Sequence, residues 1–272
     1  MADSPMPRPW RLDEATYADV QARGYEVAVI PCGATEPHNL HLPYGTDSYE
    51  AETIANRLAE AAWAKGAKIL VLPTVPFGTE TNQRGCLLSI NVNPSTLFAF
   101  LTDVIESLAG HGIKKVLILN SHGGNDFKPL LREIFGRFGS HVFLCNWYTV
   151  LKDVYPEIFR DPGDHAGELE TAFILASHPH LVRKKADGSL DADEGAVRSS
   201  RFDAVEKGWV GLTRPWPLLT TNTGVGNPHP ATAEQGRRVL DLLTERLAPF
   251  LVELANSPLD AEFPFAPRAP GP

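Results

Sequence analysis

The sequence predicts an α/β fold in which a mainly parallel central sheet is covered by helices on both faces. Short, continuously apolar segments alternate along the chain with segments of helical periodicity. The apolar segments lack the polar–apolar alternation of a strand with one solvated face, so they are typical of strands buried on both faces. The 272 residues suffice for one large domain, expected over 1–262, followed by a frayed tail rich in Pro and Ala over 263–272.

The predicted strands and helices follow one another in a regular order. Apolar segments indicate strands over 25–31, 68–75, 115–119 and 141–146. Helical spacing of apolar residues indicates helices over 47–65, 97–109, 127–138, 166–176 and 232–254. Gly66 and Gly110 follow the first two helices, as glycine commonly does at a helix C-terminus. We expect right-handed crossovers between the strands and functional loops at their carboxyl ends.

The segment 184–230 departs from this order. It is rich in Gly, Pro, Asp and Thr and shows little periodicity. Structureless stretches of this length usually serve function or subunit contact. Because Trp209 and Trp216 lie among its glycines, we expect the segment either to close over a functional site, in this subunit or a neighbouring one, or to pack in an oligomer interface.

The composition excludes several classes of function. The chain has 25 Lys and Arg against 33 Asp and Glu, a net charge of −8, and its one basic cluster is 183–185. Nucleic acids and membranes are therefore not expected as partners. No apolar run approaches the roughly 18 residues of a membrane-spanning helix, and the N-terminus lacks the apolar stretch of a signal peptide. Cys32, Cys86 and Cys145 show no C-x-x-C pattern and are expected to be reduced thiols of a cytoplasmic protein.

The strongest functional signal follows the first predicted strand, in the sequence GATEPHNLHLPYGTD over 33–47. Glu36 and His38 are two residues apart in an extended segment, so their side chains point to the same side. Asp47 lies where the next helix begins, a position that suits either a helix cap or a ligand. Several His and carboxylate side chains so close to a strand end indicate a metal site, although a single buried His is commonly structural.

Two further clusters lie at later strand ends. The third predicted strand ends in NSHGGN, which places His122 at the edge where parallel sheets bind ligands. His165 and Glu168, in DHAGELET, open a later helix and are i,i+3 neighbours on one face. Glu170 points elsewhere on that helix. Acidic residues in a first turn also interact favourably with the helix dipole, so Glu168 and Glu170 have an alternative, structural explanation.

The three clusters together predict a metal centre with two ions. Imidazole nitrogens and carboxylate oxygens suit Zn²⁺, Mn²⁺ or Fe²⁺. Five or more such ligands exceed the need of one tetrahedral site, whereas two ions about 3.5–4 Å apart, bridged by a carboxylate and a hydroxide, use them all. A water held by two cations loses its proton near neutrality and becomes a nucleophile. The sequence has no nucleophile elbow, Walker loop or G-x-G-x-x-G motif that would predict another chemistry.

Five stretches of the sequence resemble the creatininase (creatinine amidohydrolase) family of metal-dependent hydrolases. They are GATEPHNLHLPYGTD (33–47), PFGTETN (76–82), ILNSHGGN (118–125), DHAGELETA (164–172) and GVGNPHPATAEQGRR (224–238). The resemblance implies a three-layer α/β/α sandwich that acts on a small-molecule substrate and assembles as a homo-oligomer, commonly a hexamer. It also implies two divalent ions per chain at the carboxyl ends of the strands, Zn²⁺ in the first place, with Mn²⁺ or Fe²⁺ as alternatives.

The resemblance also assigns metal ligands. They are Glu36, His38, Asp47, His122 and Glu168. Glu36 and His122 are expected on one ion and His38 on the other, with Asp47 bridging them. Creatininase itself has a ligand Glu two positions after the His of the third strand, where this sequence has Gly124. Family branches with HGGN imply the helix-opening Glu168 as the substitute.

Further residues are expected to contact the substrate or to hold the metal ligands in position. His165 and Glu170 match the proton-handling residues of the family. Four others are expected in the substrate pocket or behind the ligands: His41, Trp147, Asp161 and Asp164. Trp147 matches a Trp of the creatinine pocket. Asp161 stands where creatininase has another pocket Trp and Gln83 where many relatives have His, so creatinine itself is not the expected substrate.

The function expected from these observations is hydrolysis of a C–N bond in an amide, cyclic amide or formamide of a small polar metabolite. Cleavage of a C–C bond in a cyclic ketone of the inosose type needs the same metal centre and stays open. A metal-binding relative without activity is disfavoured, because Glu36, His38, Asp47, His122, His165 and Glu170 are all present. A mononuclear isomerase or lyase is the remaining alternative.

Overall fold

A four-stranded, entirely parallel sheet lies at the centre of the fold, with strand order β2-β1-β3-β4. The strands are β1 (Val27–Cys32), β2 (Ile69–Val71), β3 (Lys115–Asn120) and β4 (His141–Asn146). This computed structural model describes residues 7–161, 163 and 165–266. The α/β fold predicted from the sequence is confirmed.

Nine α-helices connect or cover the strands in the described part of the chain. They are α1 (Tyr17–Ala22), α2 (Thr46–Trp63), α3 (Pro94–Gly110), α4 (Lys128–Glu133), α5 (Tyr155–Ile158), α6 (Glu168–Ser177), α7 (Asp203–Glu206), α8 (Trp216–Leu219) and α9 (Ala233–Asn256). Short 3₁₀ turns lie at Leu12–Glu14, Thr81–Gln83, Trp147–Leu151 and Pro179–Leu181. The long helices end within about two residues of the predicted bounds, which is the usual uncertainty of helix ends.

Successive strand residues face two separate hydrophobic cores. Val27 and Val29 of β1 pack in the core that also holds α2, α6 and α9. Ala28 and Ile30 point to the opposite face and pack in the core built from α3 and α4. Because side chains alternate along a strand, a strand with a core on each face must be apolar throughout. This arrangement is the three-layer α/β/α sandwich.

Two predicted elements are shorter in the structure than in the sequence pattern. β2 ends at Val71, two residues before Pro73, which has no N–H to donate to a strand ladder. The helix predicted over 127–138 ends at Glu133, and Gly136, Phe138 and Gly139 then adopt positive φ angles that stop helical continuation.

The segment 184–230 is more ordered than its composition suggests. It contains α7 and α8, and isolated bridges join Gly195 to Gly226 and Val197 to Thr220. A further bridge pairs Val225 with His165, which ties the end of the segment to the carboxyl edge of the sheet.

The functional loops lie at one edge of the sheet because β1 and β3 end in register, with Cys32 opposite Asn120. The loops that follow these strands therefore start side by side. At the other end of the chain, Phe263 packs edge-on against His141, with ring centroids 4.6 Å apart, so the first residue of the predicted frayed tail is packed. Residues 267–272 of that tail lie outside the described residues. Among the described residues, no helix is long and apolar enough to cross a membrane.

Candidate metal centre

Two loops and two helix starts bring acidic and His side chains together. Glu36 and His38 lie in the loop after β1, and His122 lies directly after β3. Asp47 is in the first turn of α2, where its side chain makes no helix cap, because Gly45 is the N-cap residue. Glu170 is in the first turn of α6.

The turn after β3 is fixed by Asn120, a buried residue that hydrogen-bonds in both directions. Its Nδ2 donates to the carbonyl of His122 at 2.8 Å, and its Oδ1 accepts from the backbone N–H of His122 at 3.2 Å. Asn125 closes the turn by donating to Oδ1 of Asn120 at 3.1 Å and to the carbonyl of Gly33 at 3.2 Å. His122 is therefore held rigidly against the loop of Glu36.

One cluster of potential ligand atoms consists of Glu36, Asp47 and His122. Nδ1 of His122 lies 2.8 Å from Oε1 of Glu36 and 3.1 Å from Oδ2 of Asp47. All three residues are buried, and one ligand atom from each lies within 4.8 Å of the others.

A second cluster consists of His38, Asp47 and Glu170. Nε2 of His38 lies 3.1 Å from Oδ1 of Asp47 and 3.9 Å from Oε2 of Glu170. The Nδ1 of His38 faces the carbonyl oxygen of Glu36 at 3.1 Å. A carbonyl only accepts, so Nδ1 carries a proton and Nε2 is the nitrogen that faces the cluster. Asp47 thus belongs to both clusters, with one oxygen facing each His.

His165 lies beside the two clusters and forms a third group of potential ligand atoms with Glu36 and His38. Its ring is 4.2 Å from that of His38, and its Nε2 is 3.0 Å from the carbonyl oxygen of Pro37 and 3.9 Å from Oε2 of Glu36. The ring of Trp216 meets His165 edge-on, with centroids 5.4 Å apart. The segment 184–230 therefore reaches the site through Trp216, whereas Trp209 is exposed.

The crowded charges shift several pKa values in opposite directions. Burial raises the pKa of Glu36 to about 8, although His122 opposes this effect. Burial lowers the pKa values of His38 and His122, but the adjacent carboxylates outweigh it and hold both well above the usual value. Burial also disfavours ionised Asp47, yet contact with the two His side chains keeps its pKa below the usual range. Burial and the nearby His38 lower the pKa of His165 to about 3.

The clusters fit divalent metal ions. Glu36, Asp47 and a third carboxylate, Glu80, are buried, and their ion-pair contacts in the described chain are with His rather than with Lys or Arg. Buried carboxylates without a cation are costly. Imidazole nitrogens and carboxylate oxygens are the donors that Zn²⁺ and Mn²⁺ take in proteins, so the donor set matches.

The structure places Glu168, predicted from the sequence to be a ligand, away from the clusters. Its Oε2 accepts from the backbone N–H groups of Arg160 and Asp161 at 2.8 and 3.2 Å, and its Oε1 accepts from Nε2 of Gln235 at 2.7 Å. Glu168 therefore joins the loop before α6 to the start of α9. Glu170, predicted to handle protons, lies in a ligand cluster instead.

Of the four residues predicted to contact the substrate or to support the metal ligands, only some lie at the cavity. Trp147 lines the cavity above the clusters, and its Nε1 donates to Oγ of Ser121 at 2.7 Å. His41 is buried and contacts Oγ1 of Thr171 at 2.8 Å. Asp161 does not line that cavity, because its carboxylate accepts from the backbone N–H groups of Gly163 and Asn227. Asp164 lies outside the described residues.

Sequence reasoning missed three buried polar residues at the site. Glu80 lies 2.6 Å, through Oε1, from Nε2 of His122. Gln83 donates from Nε2 to Oε2 of Glu36. Glu50 accepts from Oγ of Ser121 at 2.8 Å, and burial, with Glu170 and Asp47 nearby, holds its pKa well above the usual value. Glu80 lies in PFGTETN, one of the stretches that resemble the family. That resemblance did not indicate a role for Glu80.

A cavity of about 650 Å³ opens onto the clusters. It is lined by Glu36, Asp47, His122, His165 and Glu170. Its walls carry aromatic and polar side chains: Gln83, Trp147, Tyr148, Lys152, Tyr155, Arg214 and Trp216. A concave, largely apolar site with a few convergent polar groups is typical of a small-molecule binding site.

Comparison with known proteins identifies the family. The creatininase family model, described as creatinine amidohydrolase, matches residues 13–251. The chain belongs to the creatininase family. This confirms the resemblance found in the sequence, and the chain is accordingly a metal-dependent hydrolase of the amidohydrolase type.

Individual relatives are similar over most of this creatininase-family chain. Creatinine amidohydrolase of Pseudomonas putida is 28% identical over 260 residues, covering 87% of this chain and 94% of the relative. Mycofactocin precursor peptide peptidase of Mycobacterium tuberculosis is 26% identical over 240 residues, covering 86% and 87%.

Solved structures agree with the fold. A creatinine amidohydrolase homologue from Bacteroides fragilis superposes with a TM-score of 0.85 at 35% identity, covering 94% of this chain and all of that one. A Mn form of creatininase superposes with a TM-score of 0.70 at 23% identity, covering 91% and 99%.

Proposed function

We propose that this protein is a binuclear metal-dependent hydrolase that cleaves a C–N bond in an amide, cyclic amide or formamide of a small polar metabolite. The observation that carries the proposal is the position of Asp47, whose two oxygens face His38 in one cluster and His122 in the other. A carboxylate shared by two ligand sets is the arrangement that a pair of metal ions requires. A cytoplasmic location is part of the proposal and agrees with the three free cysteines.

The proposed ligands divide into two sets with one member in common. Glu36 and His122 would hold one ion, His38 and Glu170 the other, and Asp47 would contact both. When bound, the two ions supply Lewis acidity for the substrate carbonyl and lower the pKa of a nucleophilic water. Zn²⁺ is the first candidate, and Mn²⁺ is the second, because both suit these donors.

His165 is the residue we assign to proton transfer. Its Nε2 contacts the carbonyl oxygen of Pro37 at 3.0 Å and must donate there, which leaves Nδ1 with the free lone pair. His165 also lines the cavity, within reach of a bound substrate. Nδ1, which the low pKa of His165 keeps unprotonated, would take the proton of the attacking water and pass it on to the leaving nitrogen. Glu170, as a ligand, would not share this role.

The cavity favours a substrate larger than creatinine. A volume of about 650 Å³ lies in the middle of the range of roughly 300–1,000 Å³ for drug-sized ligands. Trp147 and Trp216 offer flat apolar surfaces, while Lys152 and Gln83 offer polar contacts. We therefore expect an amide that carries both an apolar or planar part and a polar group.

The test combines metal analysis with a substrate panel. We expect elemental analysis to find about two divalent ions per chain, and we expect hydrolysis of at least one amide that stops on chelation and returns with Zn²⁺ or Mn²⁺. The panel should include a cyclic amide, a formamide, a short peptide and a cyclic ketone. Cleavage of the cyclic ketone alone would replace the C–N assignment, and full activity with one ion or none would contradict the binuclear centre.

Creatinine should be tested together with this panel of substrates. We expect its kcat/KM to stay below about 10⁴ M⁻¹s⁻¹, the lower end of the range for natural substrates. The physical reason is that a small ring leaves most of the cavity filled with water and gains few contacts. Steady-state kinetics with the fully metallated enzyme measure this value, and a higher one would show that the cavity does not select by size.

We also propose that the chain forms a homo-oligomer, for which the resemblance implies a hexamer. Leu87 and Trp209 are exposed by 80% and 74%, and segments 84–90 and 209–218 lie together because Pro217 packs over Gly85. Exposed apolar surface of this kind marks interaction sites. Light scattering should find an oligomer that Leu87→Asp weakens and the control Phe135→Asp does not. A monomeric wild type would contradict the proposal.

A further inference from the structure

Glu80 is a buried carboxylate that the proposed mechanism does not use. It is fully buried, and no potential ligand cluster found among the described residues includes it. Its Oε1 lies 2.6 Å from Nε2 of His122, but neither of its oxygens makes a hydrogen bond of regular geometry in the described structure. The hydrogen bond of Nε2 is with the carbonyl oxygen of Thr79, at 3.2 Å. An uncompensated buried carboxylate is expensive, so the contact with His122 is the one that can stabilise it.

The backbone around Glu80 is anchored on both sides. The N–H of Glu80 donates to Oδ1 of Asn91 at 2.8 Å, and the N–H of Thr79 donates to Oδ1 of Asn125 at 3.0 Å. Asn125 belongs to the turn that carries His122. The position of Glu80 relative to His122 is therefore fixed by two hydrogen bonds that do not involve the Glu80 side chain.

Gly124 makes this close approach possible. A Cβ at position 124 would lie 2.3 Å from Nε2 of His122 and 2.5 Å from the carbonyl oxygen of Thr79. Any side chain there would push the loop of Glu80 away from His122. The space on the Nε2 side of His122 is thus filled by the Thr79 backbone and the Glu80 carboxylate.

We propose that Glu80 is a positioning residue for the metal ion held by Glu36, Asp47 and His122. The carbonyl oxygen of Thr79 only accepts, so Nε2 of His122 carries the proton and Nδ1 is left to coordinate. The carboxylate of Glu80, 2.6 Å from the same Nε2, faces this proton and stabilises the ring in that orientation. Carboxylates that accept the second ring N–H of a ligating His raise the basicity of the ligand, and losing them costs about 10–100-fold in metal affinity. This inference rests on the metal centre of the proposed function.

The experiment measures the affinity of each metal site in the full-length protein by competition with a chromophoric chelator, using Zn²⁺ and, for its absorption spectrum, Co²⁺. For Glu80→Gln we expect one of the two sites to weaken about 10–100-fold and the other to keep its affinity. Glu80→Leu, which removes the acceptor entirely, should weaken the same site at least as much. The Co²⁺ spectrum of that site should also shift, because its His ligand is no longer held in one orientation.

A matched control separates this role from general stability. Glu168 is also fully buried and lies outside both clusters, so Glu168→Gln should leave both affinities unchanged. The inference is overturned if Glu80→Gln leaves both sites unaltered, weakens both equally, or abolishes one site outright, which would make Glu80 a ligand. If Glu80→Leu does not fold, Glu80→Gln alone decides. A wild type that binds no metal would refute the proposed function itself, whereas two intact sites in Glu80→Gln would refute only this inference.

Discussion

Replacing Asp47 by Ala is expected to remove both metal ions and lower activity by at least about 10³-fold, since metal ions contribute several kcal/mol of transition-state stabilisation. Oδ1 of Asp47 faces Nε2 of His38 and Oδ2 faces Nδ1 of His122, each at 3.1 Å. Losing this one side chain therefore takes a ligand from each cluster. The substitution also leaves Glu36 without its neighbouring acid, so the remaining ligands face a less negative cavity. Elemental analysis of the purified variant measures the result directly.

The matched variant is His38→Ala, which leaves the cluster of Glu36, Asp47 and His122 intact. We expect it to keep about one ion per chain, because Glu36, Asp47 and His122 remain. The contrast between the two variants carries the argument, since both side chains are fully buried and general destabilisation would affect them alike. Two ions at full occupancy in Asp47→Ala would contradict the shared ligand.

The sequence predicted the order of strands and helices because parallel strands buried on both faces have a characteristic residue pattern. Runs such as KVLIL of β3 are apolar throughout, since Val116 faces one core and Leu117 the other. The same reasoning located Glu36 and His122, because both follow strands whose carboxyl ends meet at one edge. The sequence therefore predicted which edge of the sheet carries the site and which residue types lie there.

Side-chain direction beyond a helix start could not be inferred in the same way. His165 and Glu168 are three residues apart, which suggested a common face, but α6 begins only at Glu168 and Ala166 adopts a positive φ of 51°. Because of the turn at Ala166, His165 lies outside the helix, and its i,i+3 spacing to Glu168 does not predict its direction. Glu168 consequently points to Gln235 of a distant helix, and Glu170 points to His38.

Contacts between distant loops also could not be predicted from the sequence. Glu80 meets His122 because Asn91 and Asn125 hold the 78–80 backbone in place. Asp161 was expected in the pocket because the resemblance places a pocket Trp of creatininase at this position, yet its carboxylate accepts from the backbone N–H of Asn227, 66 residues away. No local periodicity encodes such pairings, so only the folded chain reveals them.

The roles of Glu170 and Glu168 give the sharpest test of the proposed ligand set, because the same isosteric change can be made at both positions. Glu170→Gln is expected to weaken the ion shared with His38 and Asp47 about 10–100-fold or more, since a neutral amide replaces a charged oxygen ligand. The other site, which does not include Glu170, should keep its ion. Activity should fall with the ion that is lost and recover in part at high metal concentration.

Glu168→Gln should behave differently in the same measurements. Its carboxylate contacts two backbone N–H groups and Gln235 rather than a ligand cluster, so the expected change is a lower unfolding temperature with both ions retained. Replacing an acceptor of charge-assisted hydrogen bonds in a buried position costs about 1–3 kcal/mol. Metal titration and thermal unfolding of the two variants, side by side, decide the assignment. Retained affinity in Glu170→Gln together with metal loss in Glu168→Gln would restore the ligand that the sequence alone suggested.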